Sequence, residues 1–294
     1  MIVLSKLLED TENGLCNKTI AITGATGGIG VPLCKELLRR GANLILVDRN
    51  KSKSLALKVA LLKEFSEAEI SNITADLSDI KSVKSATEEL ILRDIDFFIH
   101  NAGAYSIPRY ITENGFDNVF HINFVAPYYM IKRLLPSIET KGGRIVVTGS
   151  IAHRYSTTDL NDFDFKKRKK PSLVYGNAKR FLMFSLYKLF EDRQELLSIV
   201  HPGITFTGIT NHYPKFIFSL IKHPMKIIFM KPKKACLSTV EGINKYTPYS
   251  HWMGPCVFDI WGSPKLSKIK TDKKEIEQIF KKAEEIYNEQ IKGY

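Results

Sequence analysis

At 294 residues, 44% of them apolar, the chain can bury a full core and fits one large domain spanning 1–294 better than two small ones. Its 43 basic against 31 acidic residues give a formal charge of +12, but the basic residues are spread along the chain, so a soluble basic protein is expected and a nucleic-acid surface is not. Cys16, Cys34, Cys236 and Cys256 show no Cys-x-x-Cys spacing and no clustered histidines, which points away from a metal site and from a disulfide framework.

Met1 to Leu8 are apolar but run at once into Glu9 and Asp10 without a basic leader, so export is not expected and a reducing cytoplasm is. Short apolar runs then alternate with helical patterns, the order of a doubly wound, mostly parallel α/β sheet with helices on both faces. Thr19–Thr23, Leu44–Val47, Ile70–Thr74, Asp96–Ile99, Arg144–Thr148, Leu197–His201 and Val257–Trp261 read as its seven strands. The first runs directly into Thr23-Gly24-Ala25-Thr26-Gly27-Gly28-Ile29-Gly30, and a helix follows from about Val31 to Arg40. Glycines at a strand end let the backbone approach a pyrophosphate, and the free N–H groups of the helix start face it. Gly24, Thr26, Gly27, Gly28, Ile29 and Gly30 are therefore candidate dinucleotide contacts. Gly24, Gly28, Gly30 and Gly24, Gly27, Gly30 form two overlapping spacings, between which the turn alone does not choose. Asp48 closes the second strand, where an acidic group accepts hydrogen bonds from the adenosine ribose, and this favours NAD. Arg49 beside it suits the additional phosphate of NADP, which stays open.

Further along, Lys166-Lys167-Arg168-Lys169-Lys170 is a dense basic run that reads as a solvated loop. Tyr175-Gly-Asn-Ala-Lys179 follows in a helical stretch. Residues four apart share a helix face, where an ammonium lowers a phenol pKa from its usual ~10 and suits it to proton transfer. Between His201 and Val257 lie helix-like pieces rich in apolar residues, among them Phe216, Phe218, Leu220 and Phe229. A substrate lid over the sheet's carboxyl edge is expected at about 208–250, with plain packing on the sheet as the alternative. Phe216 to Met230 contains Lys222, His223, Pro224 and Lys226; it is too short and too charged to span a bilayer, though peripheral membrane contact stays open. Ile276, Ile279, Phe280, Ala283, Ile286 and Tyr287 recur at helical spacing, which predicts an amphipathic closing helix over 272–292.

The glycine turn, Asn101-Ala102-Gly103 after the fourth strand, Asn123 in the next helix, Gly149-Ser150 after the fifth strand, Tyr175 with Lys179, and Pro202-Gly203 after the sixth occur in one order. From about Lys18 to Thr207 the chain thereby resembles the short-chain dehydrogenase/reductase family, in its single-domain branch. The longer insert between Ser150 and Tyr175, with Ala152-His153 and Asp159-Leu160, is similar to that of the retinol-dehydrogenase-like group. The resemblance implies a Rossmann fold and an oxidoreductase that exchanges hydride between a nicotinamide cofactor and an apolar alcohol, aldehyde or ketone.

It also implies a tetrad of Asn123, Ser150, Tyr175 and Lys179. Tyr175 would protonate the carbonyl oxygen in reduction while Ser150 hydrogen-bonds the same oxygen. Lys179 would lower the Tyr175 pKa and hold the nicotinamide ribose, Tyr175 would be a cofactor contact as well, and Asn123 would hold a helix irregularity and a water. Asp76 and Leu77 are implied as adenine contacts, Asn101, Ala102 and Gly103 as adenosine-ribose and backbone contacts, and Pro202, Gly203, Ile204 and Thr207 as carboxamide and pyrophosphate contacts. A homo-oligomer is implied through the long helices after the fourth and fifth strands. As local structure alone, Ser150 and Asp76 read as helix N-caps, Asn123 as a surface amide and Pro202-Gly203 as a turn. Two other functions remain: a sugar-nucleotide epimerase or dehydratase, and a dinucleotide-binding redox sensor without turnover.

Overall fold

A computed structural model describes residues 14–205 and 230–291. Its sheet has eight strands: β1 (Thr19–Thr23), β2 (Asn43–Asp48), β3 (Ile70–Thr74), β4 (Phe97–His100), β5 (Arg144–Thr148), β6 (Leu197–Val200), β7 (His251–Val257) and β8 (Trp261–Lys268), in the order β3-β2-β1-β4-β5-β6-β7-β8. Strands β1 to β7 pair in parallel, and β8 returns antiparallel to β7. Parallel strands are covered on both faces and so carry nearly continuous apolar runs. Ile20, Ala21 and Ile22 of β1 and Ile145, Val146 and Val147 of β5 are all fully buried. The strand order reverses between β1 and β4, which opens a crevice at the carboxyl edge where the loops leaving those strands diverge.

Helices α1 (Gly30–Leu38) and α2 (Lys51–Glu64) cover one face, with Leu33, Leu37 and Leu61 in its core. On the other face lie α3 (Ile80–Leu92), the short α4 (Asn118–Phe120), a π-helical turn at His121–Val125, α5 (Ala126–Thr140) and α6 (Pro171–Leu189). The core there is dense in aromatic rings; Phe124 and Phe181, for instance, meet edge to face at 5.4 Å. Asp117 starts α4 by accepting from the backbone N–H of Val119 and Phe120 at 3.0 and 3.2 Å, and Pro171 at the first position of α6 pre-sets its entry.

The first six expected strands recur with bounds shifted by no more than a residue. The seventh does not. Val257–Trp261 is the turn of the β7–β8 hairpin: the Ile260 N–H donates to the Val257 carbonyl at 2.9 Å, with Phe258 and Asp259 at φ +52° and +58°. Two positive φ values in succession define the turn whose twist matches flanking antiparallel strands. Asn-Gly normally marks it, so an apolar run such as Val-Phe-Asp-Ile-Trp conceals it. The sheet therefore has eight strands instead of seven.

The expected lid at 208–250 is corrected in part. Residues 208–229, with Lys222 and Lys226, lie outside the described residues. Those that follow form α7 (Pro232–Ala235) and α8 (Leu237–Asn244), and α8 packs on the α1 face, where Val240 and Ile243 are buried. A Cβ at Gly242 would come within 2.6 Å of Val200 Cγ1, so this stretch lies flat on the sheet as a crossover and does not cover the carboxyl edge.

The closing helix α9 (Lys273–Glu285) is capped by Asp272, which accepts from the Lys274 N–H at 2.8 Å, and it continues as a π-helical turn at Ile286–Ile291. Ile276, Ile279, Ala283, Ile286 and Ile291 are fully buried. Ion pairs fix its register: Arg180 of α6 to Glu275, and Lys132 of α5 to Glu284 at 2.6 Å. The helix thus lies against both α5 and α6, the pair through which a homo-oligomer is expected. No helix among the described residues is long and apolar enough to cross a membrane.

Candidate active site

The crevice at the β1–β4 reversal is a groove of about 540 Å³. Gly24, Thr26, Gly27, Gly28, Ile29, Asp48, Arg49, Asp76, Leu77, Asn101, Ala102 and Gly103 all line it. Gly30 begins α1 behind the turn. Gly24 sits at φ +68°, and a Cβ there would come within 3.0 Å of the Ala102 backbone, so only glycine lets the turn close on the end of β4. Asn101 ties the same two loops, its amide donating to the Thr23 and Gly24 carbonyls at 3.2 and 3.1 Å.

Asp48, 4% exposed, is a strut of the turn as well as a groove wall. Its Oδ1 accepts from the Thr26 N–H at 3.0 Å and the Thr26 hydroxyl at 2.8 Å, and its Oδ2 accepts from the Ser54 hydroxyl at 2.9 Å. Asn72 donates in turn to Ser54 at 2.7 Å. Asp76 does not cap α3, whose N-cap is Asp79; its Oδ1 holds Ser78 through the N–H at 2.9 Å and the hydroxyl at 2.7 Å.

The tetrad assembles at the other end. Asn123 lies in the π-helical turn, fully buried, and is no surface amide. Its amide donates to the carbonyls of Val119 and Ala104, both at 2.8 Å, and its Oδ1 accepts from the Ala104 N–H at 3.2 Å. A Cβ at Gly103 would come within 2.9 Å of Asn123 Oδ1 and 3.6 Å of Lys179 Nζ, so Gly103 lies where both side chains converge. Lys179 is 1% exposed, and its Nζ donates to the Thr148 carbonyl at 2.9 Å. Ser150 does serve as an N-cap, accepting from the Ala152 N–H at 3.2 Å, and its hydroxyl stands near enough to Tyr175 to favour the ionised phenol. A Cβ at Gly176 would come within 2.3 Å of the Ala152 carbonyl oxygen. Glycine after Tyr175 therefore lets α6 press the tyrosine against the serine loop.

Burial dominates the two titrating groups. It pushes the Tyr175 phenol up to about 12, with the nearby Ser150 hydroxyl pulling down and Tyr105 pushing up. Burial likewise lowers the Lys179 ammonium to about 8. The expected depression of Tyr175 by Lys179 does not appear: the cation stands 5.9 Å from the ring centroid, and the loss of solvent around the phenolate sets the direction of the shift. The protein's own groups hold Tyr175 protonated.

Pro202 and Gly203 are buried and Ile204 half-buried at the end of β6, while Thr207 lies outside the described residues. The basic run is an ion-paired loop, with Arg168 to Asp159 at 2.9 Å and Lys166 to Asp164 at 3.3 Å. Among the described residues no group of His, Cys, Asp or Glu could hold a metal ion.

Residues 18–161 match the profile of the short chain dehydrogenase family. The chain is 30% identical over 225 residues to Short-chain dehydrogenase TIC 32 A, chloroplastic, of Brassica napus, covering 69% of each chain. It belongs to the short-chain dehydrogenase/reductase family. Retinol dehydrogenase 14 of Mus musculus is 26% identical over 253 residues, covering 77% of this chain and 76% of that one. A solved structure of a putative uncharacterized protein from Mycobacterium Paratuberculosis shares the fold with a TM-score of 0.67 at 22% identity, covering 94% of both chains. The protein is an NAD(P)-dependent short-chain dehydrogenase/reductase.

Within that family frame, several groove residues escaped sequence reasoning. Tyr105 lines the groove and meets the Tyr175 ring edge-on at 5.4 Å; its place two residues after the Asn-Ala-Gly end was the available signal. Asn50 and Lys53 line the groove beside Asp48, with Lys53 in the first turn of α2. Ile107 and Ile122 carried no motif at all.

Proposed function

We propose that this chain interconverts an apolar aldehyde or ketone and its alcohol, with Tyr175 as the proton donor in reduction. The observation that carries the reading is the meeting of Asn123 and Lys179 at Gly103, where the dinucleotide groove ends against Tyr105 and the Tyr175 ring that it touches. Bound nicotinamide supplies the hydride. Ser150 and Tyr175 place two hydroxyl groups that can bond one carbonyl oxygen, and Tyr175, held protonated by burial, gives that oxygen its proton. Lys179 spends one donor on Thr148, which leaves donors of its ammonium for ribose hydroxyls. Asn123 keeps the π-helical turn and the Ala104 loop in register.

The apolar substrate class is supported by the likeness to Retinol dehydrogenase 14 and by Tyr105 and Ile107 along the groove. Residues 230–291 extend the sheet and close it with α9, which gives no support to an epimerase with a large substrate lobe. The intact tetrad speaks against a sensor without turnover. For the cofactor, the Asp48 carboxylate in the groove favours NAD; a second reading, NADP, draws on Arg49 and Lys53 beside it. Because α9 covers α5 and α6, a homo-oligomer would pair through another surface. The test is a panel of aliphatic and aromatic aldehydes and ketones of rising size, each with NADH and with NADPH, followed by absorbance at 340 nm. Oxidation that strengthens with apolar bulk supports the proposal; tight nucleotide binding without turnover on any carbonyl overturns it.

A further inference from the structure

The β7–β8 hairpin touches both loops that flank the tetrad. Asp259, in its turn, pairs through Oδ2 with Arg154 Nη2 at 2.8 Å, and Arg154 belongs to the turn that follows Ser150. The Asp259 carbonyl lies 3.0 Å from His201 Nε2, and His201 leads into Pro202-Gly203. The neighbouring Ile260 carbonyl packs on that same segment: a Cβ at Gly203, which has φ +79°, would meet its oxygen at 2.7 Å. Trp252 of β7, fully buried, fills the space between the loops. His201 stacks on it at 4.7 Å and 14°, His153 meets it edge-on at 5.4 Å, and the Arg154 guanidinium lies 5.3 Å from its ring centroid. His153 in turn holds the Ser150 carbonyl through Nδ1 at 2.7 Å.

The turn that makes these contacts carries one unsuitable residue. A positive φ is tolerated by Asp but costly for Phe, yet Phe258, 83% exposed, adopts one ahead of Asp259. What Asp259 adds is the carboxylate that reaches Arg154.

We propose that the hairpin is a positioning element for hydride transfer: Asp259, Arg154, His201 and Trp252 lock the Ser150 loop to the Pro202-Gly203 turn and so set the distance from the substrate carbonyl to the nicotinamide. This rests on the hydride-transfer reading above. The reacting atoms tolerate little displacement, and a shift of about 1 Å can cost on the order of a hundredfold in rate. The adenosine end of the dinucleotide is held at the opposite side of the groove and does not depend on the clamp.

The decisive variant is Phe258→Asn/Asp259→Gly, which relieves the turn and keeps its backbone carbonyls while deleting the carboxylate; Arg154→Ala deletes the other partner, and Arg154→Lys retains the charge. Steady-state reduction is measured with protiated and 4-deuterated NADH or NADPH, alongside dinucleotide Kd and Tm. The expected result is a kcat about tenfold lower in the turn variant and in Arg154→Ala, a raised isotope effect on kcat, partial recovery in Arg154→Lys, dinucleotide Kd within about twofold, and a Tm in the turn variant no lower than that of the unmodified chain. Unchanged kcat and isotope effect in the turn variant overturn the clamp while leaving the function standing. A joint loss of Tm, nucleotide binding and kcat with no rise in the isotope effect makes the hairpin merely structural and also overturns it. If the unmodified chain binds dinucleotide but reduces no carbonyl, the function reading fails and the clamp with it.

Discussion

The two ends of the groove are built differently. The adenosine end is local: a strand, a glycine turn and a helix start occupy one short stretch, and Asp48, two dozen residues on, reaches back to Thr26. The reaction end is assembled from Gly103 and Asn123 after β4 and Ser150, Tyr175 and Lys179 after β5, and it is backed by Trp252 and Asp259 from the far hairpin. Local construction fixes binding, whereas distributed construction fixes distances. Substitutions at the first end should therefore act on Kd, and those at the second on kcat.

The largest effect is expected from Lys179→Met. Loss of the buried ammonium should lower carbonyl reduction by roughly a hundredfold or more, while dinucleotide Kd, measured by fluorescence titration, rises far less. Equal losses in both would erase the distinction between the ends. A related expectation concerns pH. The Lys179 pKa lies at about 8, so the ammonium is complete below that value and is lost as pH rises through it. Reduction by the unmodified chain should fall above about pH 8, and the residual activity of Lys179→Met should not follow that curve.

At the adenosine end, Asp48→Ala should weaken NADH binding about tenfold, and NADPH binding less, because a negative charge beside the ribose phosphate is removed. Thr26→Val, which deletes one of the three bonds to Asp48, should weaken both alike by a few-fold. Equal losses for the two dinucleotides in Asp48→Ala would remove the case for NAD and leave Arg49 and Lys53 to decide in favour of NADP. In neither variant should kcat at saturating cofactor change by more than about twofold.

The smallest effect concerns stability. Burial lowers His121, His153 and His201 each to about 4, against about 6.5 in an unfolded chain. As pH falls below about 6.5 the unfolded chain takes up these protons first, so stability should decline between about 6.5 and 4, by about 2 kcal/mol per histidine at pH 5. Two of these histidines back the reaction end. His201→Gln should flatten the decline of Tm with acid, and an unaltered decline would exclude that histidine as a contributor.

The same contrast explains what could be read from the residues alone. The glycine turn, Asp48 and the first six strands follow from local pattern, because strand, turn and helix there are dictated by neighbours in sequence. The tetrad was legible only through the order of its short motifs, and the roles that Ser150 and Asn123 play depend on partners in other elements. Three features were hidden for stated reasons. The hairpin turn at Phe258-Asp259 lacks the glycine that marks such turns; α8 has the apolar spacing of a lid helix and packs flat on the sheet face because Gly242 lets it; and the Tyr175 pKa is governed by burial, which residue spacing does not encode.

The central claim is that Tyr175 gives the proton at a site whose dinucleotide binding it does not control. Its most direct test is Tyr175→Phe, with single-turnover oxidation of bound NADH or NADPH by a bulky apolar aldehyde recorded at 340 nm and dinucleotide Kd measured on the same preparation. The account predicts a rate lower by about a hundredfold or more with Kd unchanged within about threefold. A variant that still oxidises the bound cofactor at the unmodified rate would contradict it.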